Sequence, residues 1–212
     1  MWLGNGWSLA LILGAALAMR IVVLLAPPFL SSDVYRYVWD GRVLAAGINP
    51  YRYIPTDPQL APLRDAEIFP EINRGNYAPT IYPPAAEAIF FAATRFSESI
   101  TAMKAAMVVF EAIATLLMLS LLAGAGLPAT RIIIYAWHPL PLWEFAGSGH
   151  IDAAIVAFVA LALWSRRRTP ITLSYRPTGP AVGRPEDKLR PGSIPAVDTG
   201  VRRHDTVRGA LD

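Results

Sequence analysis

The chain has 212 residues, 54% of them hydrophobic, with a mean hydropathy of +0.37, a formal net charge of +3 and no cysteine. It is too apolar for an ordinary soluble domain, and the lack of cysteine excludes disulfides and thiolate metal sites. Residues 1–165 carry 9 Lys and Arg against 11 Asp and Glu, while residues 166–212 carry 10 against 5, so the basic character belongs to the tail and the body has no nucleic-acid footprint.

Residues 9–26 hold one charge, Arg20, and are long enough for a first membrane span. The apolar run exceeds a signal-peptide core, no A-x-A cleavage site follows it, and it closes on Pro27 and Pro28, so a retained span is expected. Arg20, near its far end, is expected to snorkel to the interface. Residues 27–82 form a long polar loop that contains most of the body's charge, five of its arginines included. Within it, 33–46 predicts a short amphipathic helix with Ser31 or Ser32 as cap and Gly47 as stop. Its aromatics beside arginines suit a helix lying on the membrane surface. Residues 84–96 are apolar but short, and predict an interfacial or re-entrant helix entered through Pro83 and Pro84. Three further spans are expected at 102–123, 131–146 and 150–165, the second broken by Pro139 and Pro141. From 166 onward the apolar pattern stops, and a basic, disordered tail is expected, read either as an out-of-frame stretch or as the mark of a truncated gene.

The chemistry-bearing residues cluster in three blocks: SDVYRYVWDGRVLAAGINPYRY at 32–53, APTIYPPAAEAIF at 78–90 and YAWHPLPLWEFAGSGHID at 135–152. An acid at the end of a span can act as general base on a sugar hydroxyl, and nearby arginines can hold a phosphate. The plainer alternative is that Asp33 and Asp40 pair with Arg36 and Arg42 on a solvated helix face. His150 reads either as a histidine bonded to a carbonyl or, with Glu144 and Asp152, as part of a loop facing the cavity of Asp33. An intramembrane acid is costly and draws a functional reading. Glu111 could pair with another span, and Glu87 could face water.

These three blocks, in this order, resemble the GT-C class of multi-span glycosyltransferases, and most closely the bacterial polyprenyl-phosphate-mannose-dependent mannosyltransferases, over roughly residues 9–165. The resemblance implies an all-α, polytopic membrane protein of about four transmembrane helices plus interfacial helices, similar to the N-terminal half of that class. It implies transfer of a hexose, mannose by expectation, from a polyprenyl-phosphate sugar to an extracytoplasmic glycan or lipid. Asp33 falls at the class's essential acid and is expected to be the catalytic base. Asp40, two helical turns on, is expected to orient the acceptor, help hold a divalent cation or cap structure. Arg36, Arg42 and Arg52 are candidates for the donor phosphate, and Tyr82, Glu144, His150 and Asp152 for the cavity wall. No cofactor is required, although two acids near a phosphate would suit a divalent cation, and no metal ligand set is assigned. With the first loop extracytoplasmic, as the resemblance implies against its five arginines, and 84–96 not crossing, the spans bring the GSGHID segment beside Asp33 on the outer face of the cell membrane and Arg166, Arg167 and Arg168 inside. The class carries many more spans than this chain shows, so an inactive truncated paralogue is one rival. A transporter or flippase using Glu87, Glu111 and Arg20 is another, disfavoured by the lack of internal repeats.

Overall fold

The computed structural model describes residues 5–168. The expectation for the tail lies, from residue 169 on, outside the described residues. All elements are helical, with no strand among the described residues.

The two longest apolar runs form α1 (Asn5–Leu25) and α4 (Ile100–Gly124). At about 1.5 Å per residue each is long enough for the hydrocarbon core of a bilayer. Gly6–Leu25 and Ile100–Gly124 are both apolar enough to cross a membrane. Leu17, Val22, Val109 and Leu116 stay exposed on them, as side chains facing lipid do. The Ser99 hydroxyl caps α4, accepting the Ala102 N–H at 3.1 Å.

The two helices run antiparallel. Near the start of α4, Lys104 Nζ donates to the carbonyls of Val23 (3.2 Å), Leu24 (2.9 Å) and Ala26 (2.7 Å), closing the end of α1. Those carbonyls have no partner within the helix, which is why a buried lysine is tolerated there. Two turns further on, Arg20 meets Glu111 in a fork of 2.9 and 2.5 Å, and its Nη1 donates to the Ala16 and Ala136 carbonyls at 3.0 and 2.9 Å. Arg20 therefore does not snorkel. It is buried because Glu111 neutralises it within the bundle, and together they join three legs of the chain.

The other two expected spans take different forms. Residues 129–147 are not one helix but a succession of short pieces: a 3-10 turn (Ala129–Ile132), the single turns α5 (Ile133–Ala136) and α6 (Pro139–Pro141), and a π-helical turn (Leu142–Gly147). Pro139 and Pro141 cannot donate to the preceding turn, so the ladder breaks, and His138 Nδ1 takes the Leu140 N–H instead, at 3.1 Å. This leg runs back along α1, where Trp137 Nε1 donates to the Ile12 carbonyl at 3.0 Å. The last leg, α7 (Asp152–Arg168), returns along α4, with Trp164 Nε1 donating to Ser120 Oγ at 3.0 Å. The chain thus traverses the bundle four times, but two helices meet the length and apolarity of a span among the described residues.

The segment expected as a surface loop is a packed cap at the end of α1. It holds α2 (Asp33–Ala45), two 3-10 turns (Pro58–Leu63 and Phe69–Glu71) and α3 (Pro84–Phe96). The expected surface helix, α2, is enclosed: Val34, Tyr37, Val38, Trp39 and Val43 share one core with Phe90 of α3, Met103 and Met107 of α4, and Phe145. Two features permit this. Arg36 and Asp40 neutralise each other inside, and Gly41 lets α3 approach so closely that a Cβ there would lie 2.6 Å from the Phe90 carbonyl.

Candidate active site

Asp33 opens α2, where its charge suits the helix N-terminus, and Ser31 Oγ accepts its N–H at 3.1 Å. Its side chain is 33% exposed. Asn73 Nδ2 donates to Oδ1, and His150 Nε2 lies 3.9 Å from Oδ2. His150 Nδ1 in turn bonds Glu144 Oε2, and the His150 N–H donates to the Glu144 carbonyl at 2.9 Å. His150 is thus held by a carboxylate and not by a carbonyl alone.

The local sequence explains the approach. Gly149 has φ +72, and a Cβ there would sit 2.9 Å from Lys104 Cγ and 3.1 Å from Val34 Cγ2. No other residue fits that backbone and that gap, so the glycine before His150 lets the loop press onto the first turn of α2. Glu144 sits in the π turn, a distortion often found at functional sites. It also lines a groove of about 460 Å³ together with Asp152, Tyr135 and Leu140. Among the expected site residues, Asp33, His150 and Glu144 therefore converge, while Asp152 is exposed and lines the groove with Glu144.

Asp40 lies in a separate cluster. It is buried, and Arg36 Nε donates to both its oxygens at 2.8 and 3.0 Å while Nη1 donates to the Ala78 carbonyl at 3.2 Å. Glu87, which does not face water, joins them; Thr80 Oγ1 donates to its Oε1 at 2.7 Å. Burial first, then the charge of Asp40, push Glu87 up to about 7. Burial also raises Asp40, against the pull of Arg36. Of the two acids Glu87 is the one pushed up to about 7, and its Oε2 has no hydrogen-bond partner among the described residues.

The remaining arginines differ in what they already hold. Arg42 is tied to Asp65 (2.6 Å), Glu98 (2.7 Å) and the Leu63 carbonyl (3.0 Å). Burial works against the Asp65 charge, but the Ile68 and Phe69 N–H groups and Arg42 hold it below the ordinary range. Arg52 is exposed and makes no side-chain bond among the described residues. Arg74 is also exposed and unpaired, in a left-handed backbone (φ 55). It lines a shallow cleft with Arg36, Asn73 and Tyr82. Tyr82, at that cleft, packs edge-on against Tyr37 at 4.9 Å. Burial and then Asp33 push its hydroxyl up to about 12.

Residues 7–183 match the family model described as alpha-(1->6)-mannopyranosyltransferase, N-terminal domain. The chain belongs to this family. The resemblance read from the three sequence blocks is borne out, and it makes the chain a mannosyltransferase-family domain, whose reaction needs a sugar donor and an acceptor. Family membership and two span-length apolar helices together point to the membrane. No curated protein and no solved structure matches the chain.

Two residues beside Asp33 in this mannosyltransferase-family domain escaped sequence reasoning. Asn73 and Arg74 sit in a turn, INRGN, 40 residues from Asp33, with no periodicity to flag them. Asparagine in a turn is ordinarily read as turn chemistry alone. Among the described residues no group of three or more Asp, Glu or His side chains is arranged to hold a metal ion.

Proposed function

We propose that this domain transfers mannose, with inversion, from a polyprenyl-phosphate donor to a glycan or lipid acceptor at the extracytoplasmic face of the cell membrane, with Asp33 as general base. The observation that carries this is the setting of Asp33: partly exposed, one oxygen held by Asn73, the other free, at the end where α1 finishes. A base must be reachable, oriented and unpaired by a cation, and Asp33 meets all three conditions. Asp40, buried on Arg36, fits the structural option better than contact with acceptor.

The acceptor hydroxyl gives its proton to Asp33 Oδ2 as its oxygen bonds the anomeric carbon. The bond from that carbon to the phosphate oxygen breaks, and the electron pair leaves on the phosphate. Negative charge there calls for an arginine free to pair. Arg36 and Arg42 already hold carboxylates, which leaves Arg52 and, next to Asn73, Arg74. Tyr82 and Tyr51 offer faces and edges for a sugar ring. A divalent cation is not needed by these steps. In this reading the GSGHID segment and Asp33 face the extracytoplasmic side and Arg166, Arg167 and Arg168 the cytoplasm, which the positive-inside tendency favours for the arginines. The transport alternative draws no support from Arg20 and Glu111, which are closed on each other and on two carbonyls.

The test is transfer of radiolabelled mannose from polyprenyl-phosphate mannose in membranes bearing the wild-type chain or Asp33→Asn. A loss of about 10²- to 10⁴-fold is expected, with unchanged thermal unfolding in detergent. A variant as fast as wild type overturns the assignment.

A further inference from the structure

One polar atom at the site has no partner. His150 Nε2 is buried and makes no hydrogen bond, although it lies 3.9 Å from Asp33 Oδ2. Buried polar atoms are rarely left so, and each exception asks for a reason. The ring's other nitrogen bonds Glu144 Oε2. A carboxylate accepts from Nδ1–H, and with the ring hydrogen on that nitrogen Nε2 turns a lone pair towards Asp33. Asn73 occupies Oδ1 of Asp33, so the oxygen that faces His150 is the one left free. Beyond His150, Glu144 borders an open groove of about 460 Å³ that also exposes Asp152. Asp33, His150 and Glu144 thus form a line from the cap to that groove.

We infer that His150, held by Glu144, is the route by which Asp33 loses the proton it collects. This rests on Asp33 being the base proposed above. The proton taken from the acceptor hydroxyl moves from Asp33 Oδ2 to His150 Nε2, the unpartnered nitrogen that faces it. Glu144 balances the imidazolium and keeps its Nδ1–H hydrogen bond throughout, and when the product leaves, the ring gives the Nε2 proton to water entering the vacated site. Asp33 is again ionised and His150 neutral, so each transfer releases one proton while the lipid phosphate leaves as its anion. The 3.9 Å gap exceeds a hydrogen bond by about 1 Å, which a side-chain rotation closes. It is too short to admit a water between the two groups. His150 and Glu144 act through Asp33 and are positioning residues.

The test uses the purified full chain in detergent with polyprenyl-phosphate mannose, comparing wild type, Asp33→Asn, His150→Gln, His150→Ala and Glu144→Gln. Both His150 variants and Glu144→Gln should lose about 100-fold in kcat with the donor KM unchanged. Imidazole in the buffer should restore His150→Ala, while pyrrole, of the same shape but without a basic nitrogen, should not. Full kcat in His150→Gln and Glu144→Gln, or equal rescue by pyrrole, overturns the route and leaves the base assignment standing. An inactive wild type, or an unaffected Asp33→Asn, sinks the base assignment instead. The proton arrangement is then decided by ¹⁵N spectra of the ring nitrogens. The chain has 3 histidines, so the signals missing from His150→Gln assign that ring. A protonated Nδ1 and a bare Nε2 that responds to Asp33→Asn uphold it. A proton on Nε2, or no response, overturns it.

Discussion

Two acids on one helix, Asp33 and Asp40, stand two turns apart and live in opposite surroundings. Around Asp40 every charge is met: Arg36 grips both its oxygens, Thr80 holds Glu87, and the cluster is shut between α2 and α3. Around Asp33 the partners are a neutral amide and a histidine that stops short of contact, and the carboxylate is partly open. The same residue type on the same face serves architecture in one place and is available for chemistry in the other. What separates them is whether a cation lies within reach, and that depends on which other segment folds over each turn.

The largest effect that would sharpen this contrast falls on Arg36→Met. It strands Asp40 beside Glu87 with no cation, and should lower stability by about 3–5 kcal/mol, read as unfolding in detergent. Replacing Arg36 and Asp40 together by apolar residues should recover most of that loss. If Arg36→Met unfolds like wild type, the Asp40 cluster is not structural and the contrast with Asp33 collapses.

A smaller effect is expected at Gly41. Gly41→Ala puts a methyl 2.6 Å from the Phe90 carbonyl and 2.7 Å from Thr94, so α2 and α3 must part. A loss of about 1–3 kcal/mol is expected, and a melting temperature equal to wild type would contradict the close helix contact.

The smallest effect concerns pH. Glu87 has a native value of about 7 against 4.5 for an ordinary glutamate, so the native chain keeps its proton longer than the unfolded chain. Its contribution is full below about pH 4.5 and is lost as pH rises through about 7. Stability should fall across that window, and Glu87→Gln, which never ionises, should remove that part of the slope. An unchanged slope in the variant would contradict the raised value at Glu87.

Much of the outline was legible in the sequence. The helix expected at 84–96 is α3 (Pro84–Phe96), because Pro83 and Pro84 set its start and the apolar run sets its length. The spans at 9–26 and 102–123 appear as α1 and α4 to within a few residues. The segment at 131–146 was legible only as interrupted. Prolines announce that a helix fails, but not that it recovers through a π turn that aims Glu144 at His150. The burial of α2 could not be read either. Its alternation of charge and aromatic residues is the same on a membrane surface as inside a cap, until Gly41 and α3 are brought together.

The sequence by itself determined that the chain is helical, that two of its helices suit a bilayer and that its three blocks belong to a mannosyltransferase family, since apolar run length, proline placement and residue order are properties of the chain as written. Only the tertiary structure decided which charges cancel and which stay available. Arg20 with Glu111 lie 91 residues apart, Arg42 with Glu98 56 apart, and Asn73 with Asp33 40 apart. Electrostatic pairing depends on distance in space and on exclusion of water, and neither can be read along a line of residues.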